Sequence, residues 1–228
     1  MVLLILSSVL RLSNCKTKSE KTKSRIHWVW LFLKLGWITT DTKKMNFEEI
    51  FKDKLWAVRY DSEDQNVLYK LFKDWNDVVW LKDFFEKNID DLSAYFKITN
   101  LNQAIYDTIE DAEKLECLIC DINENSNLDE LFRHLEPQRT KDVLLGKEKA
   151  KGEYTNRHAS WLRIYAIKFT HGFYIITGGA IKLTRTMQER AHTLEELRKM
   201  EEVRNFLLAN NLIDDLALED YLKELNIS

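Results

Sequence analysis

The sequence has little that punctuates or staples a chain. One proline (Pro137) and six glycines stand among 228 residues, which excludes collagen-like and low-complexity architectures. Three cysteines, Cys15, Cys117 and Cys120, cannot make a disulfide framework. Cys117-Leu-Ile-Cys120 has the C-x-x-C spacing, but no second pair completes a zinc site. It lies in an apolar helical run, so both thiols are expected in the core of a protein kept in a reducing cytoplasm. No phosphate loop, Gly-rich dinucleotide fingerprint, nucleophile elbow or HExxH zinc helix occurs. The opening apolar run, MVLLILSSVL, is too short to span a bilayer and lacks the basic start of a signal peptide. No membrane partner, metal or small-molecule cofactor is expected.

What is present is a core-forming chain with partitioned charge. Hydrophobic residues make up 45%, enough for one well-buried domain. The net charge of −3 conceals alternating blocks. Residues 1–44 carry nine Lys/Arg against two acids, and residues 45–138 carry ten against 22. Residues 139–190 carry eleven against four, and residues 191–228 carry four against nine. A basic block inside an acidic protein suggests a polyanion partner; its bland alternative is a solvated basic face.

Patterned sequence begins abruptly at Met45. Met45 is therefore the expected natural start, with residues 1–44 a non-domain leader from upstream translation; a membrane-associated leader is the alternative. Lys54–Tyr60 alternates as a strand does. Val67–Asn88 and Leu101–Cys120 place apolar residues at helical spacing, and Asp90–Lys97 reads as a short helix. Asp121–Asn127 is a polar loop without the central glycine of a calcium-binding EF-hand. Asp129–Leu135 reads as a short helix, and Arg139–Asn156 as loop-rich or partly helical. Trp161–Phe169 and Phe173–Leu183 read as a hairpin turning at Thr170-His171-Gly172. Gly178-Gly179 marks a bulge or a close backbone approach in its second strand. Thr193 and Glu196 have capping-box spacing at the start of a helix, and a last short helix follows at Asp215–Leu225. The expected fold is α+β over residues 45–228: a small antiparallel, mixed-edge sheet with its basic region at about 139–190, packed against helices that end the chain at 193–228.

The chemistry available is a set of cationic, imidazole and phenol groups around the hairpin: His158, Arg163, Tyr165, Lys168, His171, Lys182, Arg185, Arg190 and His192. Alternate strand residues share a face, so Arg163 and Tyr165 point the same way. Such groups suit metal-free RNA cleavage, with Arg and Lys stabilising charge on phosphorus and His or Tyr moving protons. The bland reading is an ordinary basic surface.

The order of a strand, helices, a basic antiparallel sheet and a final helix resembles the RelE/ParE superfamily of bacterial toxins, in particular its HigB-like branch. The carrying residues are WLRIYAIKF, FYIITGGAIKL and TRTMQERAHTLEELRKMEEVRNFL, with Gly179-Ala180-Ile181-Lys182 and Thr184 at the matching places. The match covers roughly Trp161–Leu208. The resemblance implies an mRNA endoribonuclease of a type II toxin–antitoxin system, acting on the ribosome and held by a cognate antitoxin. It implies that Arg163 binds phosphate, Lys182 stabilises charge, and Arg190 and Arg185 hold the RNA backbone. His192 or Tyr165 is then the proton carrier, with Lys168, His158 and Arg157 as further RNA contacts. Two other readings stand beside it. One is a non-catalytic module binding nucleic acid or an acidic protein. The other is an interaction protein that uses its acidic helices.

Overall fold

A central mixed sheet takes two strands from residues 45–60 and four from residues 132–181. The computed structural model describes residues 45–61, 63–135, 145–151, 158–169 and 172–227. The leader, Arg157, the His171 turn and most of 139–156 lie outside them.

Strand β1 (Met45–Phe51) forms a hairpin with β2 (Leu55–Tyr60). Four helices follow: α1 (Val67–Trp75), α2 (Val78–Lys87), the single turn α3 (Ile89–Asp91), which runs into a π-turn at Leu92–Phe96, and α4 (Leu101–Cys120). Then come α5 (Leu128–Leu131), β3 (Phe132–His134), β4 (Gly146–Lys151), β5 (Leu162–Lys168) and β6 (Tyr174–Ile181). A 3-10 turn at Met187–Glu189 leads into α6 (Ala191–Ala209) and α7 (Asp215–Ile227). The sheet order is β1-β2-β6-β5-β4-β3. Every neighbouring pair is antiparallel except β2 with β6. The α+β class holds, with the parallel pair inside the sheet.

Each face of the sheet buries one apolar cluster. Leu162, Ile164 and Ala166 of β5 pack with α1, α2 and α4 residues such as Trp75, Phe85 and Leu115. Tyr165, Ile167 and Phe169 face the other way and pack with Met200, Val203 and Leu207 of α6. The period-2 alternation of β5 thus fixes which side chains meet which helices.

Several elements differ from expectation. The helix expected over 67–88 breaks because Asn76 ends α1 and the Asp77 carboxylate caps α2 through Val79 and Trp80 N–H. The helix expected at 129–135 is one turn followed by strand β3, and 139–156 contains β4. The capping box lies elsewhere. Helix α6 starts at Ala191 with no side-chain cap, while Thr186 and Glu189 form the reciprocal box on the preceding 3-10 turn. Thr193 instead donates to the Met187 and Arg190 carbonyls, and Glu196 lies buried against the sheet. Cys117 and Cys120 are exposed on α4 rather than in the core.

The two glycines of β6 behave as expected. The β5–β6 register shifts beside Tyr165, at the level of Thr177 and Gly178. A Cβ on Gly178 would lie 2.0 Å from the Glu196 Oε2, and one on Gly179 would lie 2.6 Å from the Arg163 carbonyl oxygen. Only glycine allows both approaches.

Candidate nucleic-acid interface

The sheet pairing brings cations from successive strands to one face. Lys151 pairs with Arg163, and Arg163 pairs with Ala180. Arg133 pairs with Lys149, Lys149 with Tyr165, and Tyr165 with Gly178. Tyr165 and Ala180 belong to the α6-facing cluster, so Arg133, Lys149, Lys151 and Arg163 share that face. Lys182, two residues beyond Ala180, continues the same alternation just past β6. Helix α6 crosses toward β4 further along, where Glu201 pairs with Lys147 at 2.5 Å.

These cations are held by carbonyl oxygens. The Arg163 Nη1 donates to Ser160 O (2.7 Å) and Leu162 O (2.6 Å). The Lys182 Nζ donates to Thr184 O and Arg185 O, both at 2.5 Å. The Lys149 Nζ donates to Leu135 O at 3.0 Å. Among the described residues none of these three forms an ion pair with a carboxylate. Their side chains are positioned by these carbonyls, and Glu148, Asp111 and Glu189 act on Lys149, Arg163 and Lys182 without forming an ion pair.

Burial and mutual repulsion show in their acidity. The Lys149 ammonium is pushed below its ordinary value by burial first, then by Arg163 and Lys151. Lys182 is pushed down by burial, then by Arg163 and Lys149. Lys151 is lowered by burial, Arg163 and Arg133. Arg163 is lowered by burial, with Tyr165 and Asp111 opposing. A bound anion would relieve this repulsion.

The remaining candidates fall into other roles. Arg190 makes a bidentate pair with Asp91 of α3, at 2.6 Å (Nε) and 2.5 Å (Nη2). The His192 Nε2 lies 3.0 Å from Ile181 O, and its ring meets Phe84 edge-on. His158 is buried, stacked on Trp161 with ring centres 4.1 Å apart, and bonded to Asp107 at 3.1 Å. Lys168 pairs with Asp129 at 2.7 Å on the opposite face. Tyr165 is buried, and burial together with the Glu196 charge raises its hydroxyl despite Arg163. Arg185 is exposed near the Lys182 ammonium, whose proton its own carbonyl accepts. The structure thus places Arg163, Tyr165 and Lys182 on one face, with Arg185 at the margin, and engages Arg190, His192, His158 and Lys168 with other partners.

Compared with family models, curated proteins and solved structures, the chain matches none of them. The site therefore stands on its geometry.

Sequence reasoning missed Arg133, Lys149 and Lys151. The signal was there: in Gly146-Lys-Glu-Lys-Ala-Lys151 the lysines recur at every second residue, as one face of a strand requires. A groove of about 730 Å³ adjoins these three cations at the β3 edge. Among the described residues no trio of His, Cys, Asp or Glu gathers to hold a metal ion. No helix among them is long and apolar enough to cross a membrane.

Proposed function

We propose that the protein is an RNA-binding endoribonuclease of the RelE/HigB-like toxin kind, acting on mRNA and held in check by a cognate antitoxin. The observation that carries the reading is the row of Lys149, Lys151, Arg163 and Lys182 on one sheet face. Among them, Lys149, Arg163 and Lys182 bond to backbone carbonyls. Phosphates would add negative charge to Lys149, Arg163 and Lys182, and such contacts dominate nucleic-acid affinity. The element order, in which a strand and helices precede an antiparallel meander that returns beside the first hairpin, also supports the resemblance.

The reaction needs no redox partner. The 2′-oxygen bonds to phosphorus, the bond to the 5′-oxygen breaks, one proton leaves the 2′-hydroxyl and one reaches the departing oxygen. Arg163 and Lys182 hold the charge that develops on phosphorus. Lys149, on the same face and held by the Leu135 carbonyl, is a further phosphate contact. A second reading, binding without turnover, is favoured by the engagement or burial of His158, His192 and Tyr165.

Incubating the full chain with mRNA in excess chelator, with and without ribosomes, tests the proposal. Cleavage that persists in chelator and disappears in Arg163→Ala supports catalysis. Salt-sensitive binding without cleavage under either condition favours the second reading, and neither binding nor cleavage overturns both.

A further inference from the structure

The groove at the β3 edge is not a uniform basic surface. Its lining includes Arg133, Lys149 and Lys151. It also includes the aliphatic side chains of Leu118 on α4 and Leu131 on α5, which are at least partly exposed, beside the buried Ile122 and Leu128. Two acids, Asp121 and Glu130, stand at the same opening and are exposed. A site made only for phosphate would gain nothing from the aliphatic side chains and would be weakened by the carboxylates. A nucleotide uses all three features. Its phosphate meets the cations, its base covers the aliphatic side chains, and exocyclic amino groups donate to carboxylate oxygens. The volume of about 730 Å³ fits a ligand of that size.

We infer that this groove is a nucleotide subsite that prefers bases bearing an exocyclic amino group over uracil. The inference rests on the RNA-directed reading above and extends it from the phosphate to the base. Lys149 and Lys151 belong to both the groove and the cationic row, so the two meet at the β3–β4 side of the sheet. Single-stranded RNA is read in this way, through unstacked bases whose edges are free. Asp121 and Glu130 accept from the N4 amino group of cytosine. The uracil O4 in the same place is an acceptor and faces them unfavourably.

The test uses the full chain at low salt, titrated calorimetrically with cytidine monophosphate, uridine monophosphate and inorganic phosphate. Cytidine monophosphate is expected to bind about tenfold more tightly than uridine monophosphate, and inorganic phosphate more weakly than either. The double variant Asp121→Asn/Glu130→Gln, altered only at exposed positions, should abolish the cytidine preference and leave phosphate binding unchanged or stronger. Leu118→Glu should weaken both nucleotides and spare phosphate. Equal affinities for the three ligands, or a preference that survives the double variant, overturn the inference. A short RNA oligomer separates the two claims. Oligomer binding that needs Lys149, with no base preference, overturns the subsite alone. An oligomer that does not bind overturns the RNA reading, and a cytidine preference that persists supports the subsite without it.

Discussion

The cations of the strand face and those of the β6–α6 connection come from the same basic stretch of sequence but meet different partners. In the connection, Arg190 meets a carboxylate that holds both arms of its guanidinium, and His192 meets the Ile181 carbonyl. On the strands, Arg163 and Lys149 meet carbonyl dipoles and one another. A cation paired with a carboxylate supports the fold, whereas one held by carbonyl oxygens keeps a charge that an external anion can meet. Counting charges along the chain cannot separate these roles; the partners can.

The largest effect should come from the strand face itself. Replacing Lys149, Lys151 and Lys182 together with alanine is expected to weaken RNA binding about a thousandfold and flatten its salt dependence. Filter binding across a salt series measures both, and an unchanged slope would refute the assignment of these lysines to phosphates. Next in size is the support of that face. In Gly179→Ala the new methyl would lie 2.6 Å from the Arg163 carbonyl oxygen and 2.7 Å from the Leu71 Cδ1. The first of these atoms is backbone, so strands β5 and β6 must shift, at a cost of about 3 kcal/mol. Urea denaturation reads the loss; a stability equal to wild type would mean that the close approach is not required.

Much of the fold was legible because its signals are local. The α4 helix and the β5–β6 hairpin carry clean periods of 3.6 and 2 over many residues, and they appear near their expected places. Strand β4 was hidden because Gly-Lys-Glu-Lys-Ala-Lys has no β-branched or aromatic residue. Its strand state comes from pairing with β5 and β3, a tertiary effect that overrides propensity. Strand β3, three residues long, is too short to show a period. The site was half legible for the same reason. Arg163 and Lys182 lie on a patterned hairpin, whereas the Arg190–Asp91 clamp joins residues 99 apart in sequence. Nothing near Arg190 announces that partner.

That clamp supplies the third prediction and the direct test of the contrast. Arg190→Ala leaves the Asp91 carboxylate, whose side chain is only 9% exposed, without its bidentate partner. The expected result is a lower Tm with RNA affinity kept, the reverse of Lys149→Ala. A calorimetric scan and a binding titration on the same two variants decide it. Loss of RNA binding in Arg190→Ala without a drop in Tm would return Arg190 to the interface.

The smallest effect concerns Glu196, the acid that lies over Gly178 on the α6 face. Burial pushes its carboxyl above the ordinary range, although Lys199 at 2.7 Å and the Gly179 N–H oppose this. Tyr60 and Tyr165 on the same side are pushed up by burial as well, so both stay neutral through physiological pH. A folded carboxyl with a raised pKa holds its proton after the unfolded one has lost it. Its contribution is therefore complete below the unfolded value and falls as pH rises through the folded value. Glu196→Gln removes the titrating group, so urea midpoints compared at pH 5 and pH 8 should decline less in the variant than in wild type. The gain at pH 8 should be modest, because the Lys199 pair is lost along with the buried charge. An identical decline in both proteins would show that Glu196 titrates as an ordinary carboxylate, and that its place over Gly178 carries no electrostatic cost.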